Sequence, residues 1–321
     1  MISRRSALVL PFAALAGSQA QAANDYPRQP TRFIVGFPPG GGADLVSRAL
    51  TPQLAIDLGQ PFVVENRPGA EGRIGAELVA HAKPDGYTIL ITTEGAMVIT
   101  PHLAVKSNYK PLVDYAPVSL LTRTQTMLVA TPSLKLRTLE DVLRLARDKP
   151  GQLNYGSSGI GGPNHLAAEV LKQKTGIDIV HVPFKGSGEA IPAVMSGQVQ
   201  LMFGYVPSLS ALVRSGALIG IAVGGAERAK ALPDIPTIAE SGVPGYRMDS
   251  WVAAMAPAGT PPEVVSTLQQ ALAKALKTEQ VQNTLLTQGF EPAGSTPEEM
   301  KALLVAEDAK YAALLKTLDL K

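Results

Sequence analysis

The chain has 321 residues, a formal net charge of +2, 45% hydrophobic and 17% charged residues, and no cysteine. This composition is typical of a folded protein and excludes a disordered chain, while the lack of cysteine excludes disulfides, thiolate catalysis and lipid attachment at a cysteine. At roughly 150 residues per domain, the length indicates about two domains.

The N-terminus has the pattern of an export signal. Two arginines at residues 4–5 precede an apolar run over residues 7–16, and a small-residue cleavage site ends at Ala22, so we expect cleavage before Ala23. The Ser-Arg-Arg sequence fits a twin-arginine signal, and an ordinary Sec signal is the alternative. Cleavage removes two positive charges and no acid, so the +2 of the full chain becomes zero.

A neutral mature chain gives no support for binding to nucleic acid or to a membrane surface. No later apolar run reaches the roughly 20 residues that span a bilayer. We therefore expect a soluble periplasmic protein without direct membrane insertion.

Predicted strands and helices alternate along the first 223 residues. Strands are predicted over residues 31–36, 61–66, 87–92, 154–155, 179–183, 201–203 and 218–223, with an apolar stretch at 120–130, and helices over residues 44–58, 73–82, 139–148, 164–175, 189–196 and 207–215. This alternation indicates an α/β fold with mainly parallel sheets and helices on both faces.

The pattern changes near the C-terminus. Two long amphipathic helices are predicted over residues 263–288 and 297–318, with no strand after residues 251–256. We expect these helices to pack back on the first domain. The predicted domains are domain 1 over residues 23–125 and 251–321 and domain 2 over residues 126–250, joined by a two-strand hinge near residues 126–130 and 251–256.

The sequence FPPGGGAD, residues 37–44, separates the first predicted strand from the first helix. Such turns at the carboxyl edge of a parallel sheet are natural ligand sites, and glycines let backbone N–H groups approach an anion at a helix N-terminus. The stretch has neither the Lys-Ser/Thr of a P-loop nor the spacing of a dinucleotide site. The alternative is a tight turn in which Asp44 caps the helix.

Two more turns of this kind lie in the predicted second domain. One is GSSGIGGPNH, residues 156–165, in which Ser157 and Ser158 add hydroxyl donors, and the other is PFKGSGE, residues 183–189. Glycine-rich turns that face each other across a hinge describe a clamshell that closes on a small ligand, because pockets form preferentially between domains.

The chain resembles the Bug-type solute-binding proteins of tripartite tricarboxylate transporters over nearly the whole mature length. The blocks that carry the resemblance are, in order, YPRQPTRFIVGFPPGGGADLVSRAL, ENRPGAEGRIGAELVAHAKPDGYTIL, LNYGSSGIGGPNHLAAEVL, VPFKGSGEAIPAVMSGQVQLMF, RAKALPDIPTIAESG and APAGTPPEVV. The resemblance implies a periplasmic Venus-flytrap protein that binds a small carboxylate and delivers it to a membrane permease. We expect a monomer without a cofactor. A receptor that presents its ligand to a sensor kinase would have the same fold and stays an alternative.

The resemblance also implies which residues bind the ligand. They are Phe37, Pro39, Gly40, Gly41 and Asp44 in the first loop, Thr93, Gly95 and Ala96 after the third strand, and Ser157, Ser158, Gly159 and Gly162 in the second loop. His165, Lys185 and Tyr205 are further candidates. For His165 the alternative is a structural hydrogen bond, and for Lys185 a partly solvated structural role.

Gly204 departs from the family pattern, which commonly has Asp after the strand that ends at Phe203. A carboxylate there could pair with a ligand amino group. Its absence predicts a carboxylate ligand without an ammonium group, and Tyr205 is compatible with an aromatic ring on that ligand.

An enzyme is the main rival class. The sequence has no Gly-x-Ser-x-Gly elbow, and its four histidines lack metal-ligand spacing. Ser157 and His165 form a conceivable nucleophile and base, but no orienting acid accompanies them. We therefore predict a binding protein with no catalytic residue and no metal site.

Overall fold

The computed structural model describes residues 26–103 and 107–318. The predicted export signal and its cleavage site at Ala22 lie outside the described residues. Among the helices that are described, none is both long and apolar enough to cross a membrane.

The described residues form ten strands and nine α-helices. The strands are β1 Thr31–Val35, β2 Phe62–Asn66, β3 Thr88–Thr93, β4 Tyr115–Ala130, β5 Asn154–Ser157, β6 Val180–Pro183, β7 Leu201–Tyr205, β8 Ile219–Val223, β9 Asp249–Pro257 and β10 Glu291–Pro292. The helices are α1 Gly42–Leu58, α2 Arg73–Ala80, α3 Leu139–Asp148, α4 Pro163–Thr175, α5 Ser187–Met195, α6 Val206–Arg214, α7 Pro262–Ala275, α8 Glu279–Thr287 and α9 Pro297–Leu315.

The strands divide into two groups that share β4. Their order is β2-β1-β3-β9-β4-β7-β5-β6, and β8 and β10 also pair with β4. Strand β1 is parallel to β2 and β3, and β5 is parallel to β6 and β7, whereas β4 and β9 run antiparallel to their neighbours. We call the group around β1 the first lobe and the group around β5 the second lobe. This is the two-domain α/β fold expected from the sequence.

The chain crosses between the lobes at two adjacent points. Strand β4 pairs with β9 up to Gln125 and with β7 from Thr126 onward. The return crossing lies beside it, because the Thr126 N–H donates to the Met248 carbonyl at 3.3 Å and the Met248 N–H donates to the Gly224 carbonyl at 2.7 Å. Two adjacent strand crossings form the hinge, while the domain boundaries at residues 126 and 250 stay a prediction.

Helices cover both faces of the first-lobe sheet. Phe33 and Val35 of β1 pack in one apolar cluster with Leu272 of α7, and Ile34 packs in another with Val79 of α2. Successive side chains of a strand point to opposite faces, so β1 is buried on both sides. The continuous apolar runs of the sequence reflect this double burial.

The predicted helix over residues 263–288 is wrong in one respect, because α7 and α8 are separate helices. Thr278 has an extended backbone with φ −70° and ψ 140°, and α8 begins after it. Leu276 and Val281 are both buried. Their spacing of five residues does not match a helical face, and the break at Thr278 lets both reach the core.

The sequence also failed to predict β10, which follows α8. Its two residues, Glu291 and Pro292, pair antiparallel with Arg123 and Thr122 of β4. Two residues carry no periodic pattern, so only the tertiary pairing defines this strand.

Candidate functional site

The first glycine loop (residues 37–44) is braced from within by Asp44. The buried carboxylate of Asp44 accepts hydrogen bonds from the Gly40 N–H at 2.9 Å, from Asn66 Nδ2 at 2.9 Å and from Arg48 Nε at 3.0 Å. Burial by itself would raise the pKa of Asp44, but these three donors outweigh it and lower the pKa. Asp44 therefore holds the loop in shape from inside α1 and not as its cap, and its carboxylate is satisfied by the chain itself.

The remaining predicted residues of this loop form an exposed turn in front of α1. Gly41 donates to the Pro38 carbonyl at 3.1 Å, Gly40 has φ +81°, and both Pro39 and Gly40 are exposed. Gly41 is the N-cap of α1 and supplies no side-chain acceptor. The first-turn N–H groups of α1 therefore lack a side-chain cap.

The segment after β3 contributes a buried carboxylate that the sequence reasoning did not single out. Glu94 lies among the predicted residues Thr93, Gly95 and Ala96 and is fully buried. Its Oε2 accepts from Ser250 Oγ at 2.9 Å and from a backbone N–H at 3.2 Å. Burial raises the pKa of Glu94 to about 7.

Tyr205 joins the two lobes at this carboxylate. The Tyr205 hydroxyl donates to Glu94 Oε1 at 3.1 Å, and Tyr205 ends β7 of the second lobe. Burial raises the pKa of Tyr205 above its ordinary value, so the phenol stays protonated and remains a donor. The structure thus brings together Tyr205 and the segment after β3, while a contact of either with a ligand stays a prediction.

The second glycine loop (residues 156–165) is held by side chains that the sequence had proposed as ligand contacts. Ser157 Oγ accepts from the Gly159 N–H at 3.2 Å and lies 2.7 Å from His181 Nε2. His165 Nδ1 accepts from the Gly161 N–H at 3.0 Å, and its ring stacks on His181 at 3.9 Å. Burial lowers the pKa of His165. A buried neutral His165 matches the structural alternative.

Ser158 and Asn164 lie where this loop enters α4. Asn164 Nδ2 donates to Ser158 Oγ at 3.4 Å, while the buried Asn164 Oδ1 has no hydrogen-bond partner among the described residues. Gly162 is the N-cap of α4 and, like Gly41, supplies no side-chain acceptor. Both glycine loops therefore lead into helix N-termini without side-chain caps.

The Glu71 turn (Ala70–Gly72) of the first lobe is where the predicted loops meet. A Cβ placed on Gly72 would lie 3.0 Å from Phe37 Cζ and 3.4 Å from Ala96 Cβ. The Glu71 carboxylate reaches the second lobe, since a Cβ on Gly159 or on Gly162 would lie 3.1 or 3.3 Å from Glu71 Oε1. The turn contacts the first loop, the segment after β3 and the second loop.

Glu71 is the second acidic residue that the sequence reasoning missed. Its half-buried carboxylate has no hydrogen bond or ion pair with any residue in the described ranges, and burial raises its pKa to about 7. Its backbone is left-handed, with φ 54° and ψ 38°. A charged residue inside the glycine-rich block ENRPGAEGRIG is the signal that could have pointed to it.

The surroundings of Lys185 and Gly204 are also defined by the structure. Lys185 is exposed, and its described hydrogen bond is from its backbone N–H to Glu189 Oε2 at 3.2 Å, so no contact joins its ammonium to the loops. A Cβ on Gly204 would lie 2.7 Å from Leu209 Cδ1. A side chain at position 204 would thus point at an apolar side chain of α6. The expectation from Gly204 that the ligand lacks an ammonium group stays a prediction.

A cavity of about 550 Å³ lies on the hinge side of the molecule. Arg123, Val206, Trp251 and Phe290 contribute to its lining, and none of the predicted site residues does. The glycine loops and the Glu71 turn are therefore a separate place in the fold.

The chain is similar to proteins of one family over most of its length. The family description "Tripartite tricarboxylate transporter family receptor" matches residues 46–320. "Protein BugT" of Bordetella pertussis is 34% identical over 98% of this chain and 97% of its own length.

Two solved structures of similar proteins contain ligands. The R. palustris protein Rpa4515, solved with adipate, is 35% identical with a TM-score of 0.87 and covers 91% of this chain and 98% of its own. MatC from Rhodopseudomonas palustris, solved with bound malate, is 30% identical to this chain with a TM-score of 0.82. The match covers 90% of this chain and 99% of MatC.

The match extends through both lobes and the hinge between them. The two-lobe α/β architecture, the paired crossings and the glycine loops at the cleft agree with that similarity. The chain belongs to the tripartite tricarboxylate transporter receptor family and is a periplasmic-type solute-binding protein, not an enzyme.

Proposed function

We propose that this protein captures a small carboxylate between its two glycine loops and delivers it to the membrane permease of a tripartite tricarboxylate transporter. The observation that carries the proposal is the meeting of both loops at the Glu71 turn, where the Tyr205–Glu94 hydrogen bond also crosses between the lobes. Similar proteins bind adipate and malate, which supports a carboxylate ligand.

Two helix N-termini supply the carboxylate-binding chemistry. Helices α1 and α4 begin at the N-cap glycines Gly41 and Gly162, neither of which has a side-chain cap. The uncapped N–H groups and the positive end of each helix dipole favour a bound anion. Ser158 adds a hydroxyl donor beside α4.

The hinge gives a way in which the bound ligand is delivered to the permease. A ligand that contacts loops from both lobes stabilises the arrangement in which the lobes meet, and a permease can select that arrangement. We further propose that the lobes are the predicted domains, residues 23–125 with 251–321 and residues 126–250. Export to the periplasm by the predicted N-terminal signal, and function as a monomer, belong to the same proposal.

The test is thermal unfolding of the mature protein with a panel of carboxylates. The protein is first unfolded and refolded to remove bound ligand. A ligand at about 1,000 times its dissociation constant adds roughly 4 kcal/mol to the free energy of unfolding, so the midpoint should rise by several degrees. If no mono-, di- or tricarboxylate of the panel raises the unfolding midpoint, the result contradicts the proposal.

Matched serine variants tie the effect to the cleft. Ser158→Ala should reduce the midpoint shift that the ligand causes, because it removes a donor from the second glycine loop. Ser215→Ala removes a surface hydroxyl bonded to the Leu212 carbonyl and should leave the shift unchanged. If the ligand raises the unfolding midpoint equally in both variants, the ligand does not bind at Ser158 in the second glycine loop.

A further inference from the structure

The Glu71 carboxylate lies where a ligand of the proposed cleft would be. It extends from the first lobe to Gly159 and Gly162 of the second glycine loop, while the adjacent Gly72 packs on Phe37 and Ala96. A ligand held between the two loops must therefore contact Glu71. This argument depends on the proposed function, because it places the ligand between those loops.

Within residues 26–103 and 107–318, the carboxylate of Glu71 lacks the partners that other acids of this region have. Glu94 accepts three hydrogen bonds, and Asp44 has an arginine and an amide beside it. The nearby cations are engaged elsewhere, since Arg67 pairs with Glu65 and Arg73 lies 3.7 Å from Glu77. A carboxylate withdrawn from water without a partner is unfavourable, and a cationic group on a ligand would remove that cost.

The backbone of Glu71 points to the same role. Its φ of 54° and ψ of 38° lie in the left-handed region, which glycine adopts without a steric penalty. A glutamate there costs conformational energy and places an unpaired acid at the cleft. Backbone strain at a binding site is typical of a residue retained for function.

The second loop offers another acceptor without a partner. The buried Asn164 Oδ1 has no hydrogen-bond partner among the described residues, and Asn164 Nδ2 donates to Ser158. The two glycine loops and the Glu71 turn therefore combine N–H donors at the starts of α1 and α4 with acceptors that lack a described partner, at Glu71 beside the second loop and at the buried Asn164 in α4. Donors for a carboxylate and acceptors for a charged nitrogen together suit a zwitterion.

We propose that Glu71 is a specificity-determining residue that selects ligands carrying a cationic nitrogen as well as a carboxylate. The carboxylate binds at the helix N-termini and the nitrogen binds Glu71. A dicarboxylate of the same length places its second negative charge against Glu71, which disfavours it. This ligand class replaces the acid without an ammonium group that Gly204 had suggested.

The experiment compares ligands that differ only in the sign of one end group. Calorimetric titration of the refolded mature protein uses 6-aminohexanoate against adipate, and the shorter ω-amino acids against dicarboxylates of equal chain length. At least one amino acid should bind the wild type about tenfold or more tighter than its paired dicarboxylate, a difference of about 1.4 kcal/mol per factor of ten.

Charge removal at position 71 completes the test. Glu71→Gln should abolish or reverse the preference for the amino acid over its paired dicarboxylate, while at least one of the two compounds still binds. Glu298→Gln removes the same charge from an exposed site on α9 and should leave the preference intact.

Two results would overturn the inference, and they are distinguishable. If the dicarboxylates bind the wild type as well as the amino acids, and Glu71→Gln leaves every ratio unchanged, Glu71 has no role in specificity although the carboxylate function stands. If neither the wild type nor Glu71→Gln binds any compound of the series or of the wider carboxylate panel, the proposed function is wrong and the inference falls with it.

Discussion

The Tyr205 hydroxyl donates a 3.1 Å hydrogen bond to Glu94 Oε1, and this single contact joins the end of β7 in the second lobe to the segment after β3 in the first. Glu94 also accepts from Ser250, which lies in β9 just after the return crossing of the hinge. One buried carboxylate therefore connects the cleft with the hinge. A change in how the lobes meet must change the environment of Glu94.

Tyr205→Phe should destabilise the protein by about 1–3 kcal/mol, because it leaves a buried carboxylate oxygen without its donor. Urea unfolding at pH 8, where Glu94 is mostly ionised, measures the effect. The same variant should bind ligand more weakly, since the removed bond holds the lobes together at the cleft.

Tyr246→Phe is the matched control for this prediction. Its hydroxyl is also buried and donates to the Ala167 carbonyl at 2.8 Å, inside the second lobe. The control should lose stability without a change in ligand affinity. A Tyr205→Phe protein that unfolds at the same urea concentration as the wild type would show that the bond to Glu94 contributes nothing.

The free energy of unfolding should carry a pH-dependent contribution from Glu94. Burial raises the pKa of Glu94 from 4.5 to about 7 in the folded protein. Between these values the unfolded chain releases the proton and the folded protein keeps it, so stability falls as pH rises from 4.5 to 7. The loss is about 3 kcal/mol and is complete above pH 7.

Glu94→Gln isolates this contribution. Burial lowers the pKa values of His165 and His181, so these groups decrease stability as pH falls below 6.5 and oppose the glutamate effect in the same range. The measurement is therefore the difference in unfolding free energy between Glu94→Gln and the wild type. As pH rises from 4.5 to 7, the variant should become progressively more stable relative to the wild type. A constant difference would contradict the prediction.

Glu71→Gly should stabilise the protein by about 1 kcal/mol, because glycine adopts the left-handed backbone without steric cost. The substitution also removes a partly buried charge that has no partner in the part of the chain that the structure describes. Denaturant unfolding at pH 8 compares it with Glu71→Gln, which keeps the strained backbone. If the glycine variant unfolds before the glutamine variant, strain at position 71 is not the cause.

Gly36→Ala should cost about 2 kcal/mol or more, because the new methyl group meets backbone that cannot yield easily. A Cβ at position 36 would lie 2.5 Å from the Gly72 carbonyl oxygen and 2.6 Å from Gly72 Cα. Since Gly72 follows Glu71, the displaced turn should also weaken ligand binding.

Gly188→Ala is the control for Gly36→Ala. Gly188 lies in α5 with no atom within 4 Å of an added Cβ, so alanine there should be neutral or slightly stabilising. Chemical unfolding and ligand titration of both variants check the pair. Equal stability of the two proteins would exclude the close contact at Gly72.

The architecture follows from local patterns in the sequence. Strands such as β1 read as continuous apolar runs because both faces are buried, and glycine-rich turns mark the places where strands lead into helices. The bond from the Gly40 N–H to Asp44 is local as well, because its partners are only four residues apart. Family membership was likewise readable from blocks of sequence in a fixed order.

Only the tertiary structure decided which chemical groups face one another across the cleft. Glu71 stands in a glycine-rich block and Glu94 in unremarkable local sequence, and only the fold places Glu71 against Gly159 and Glu94 beside the Tyr205 hydroxyl. The direction in which a side chain at position 204 would point also depends on α6 packing on β7. Local sequence determines strands, helices and turns, whereas the contacts of Glu71 with Gly159 and of Glu94 with Tyr205 exist only once the two lobes have packed around the hinge.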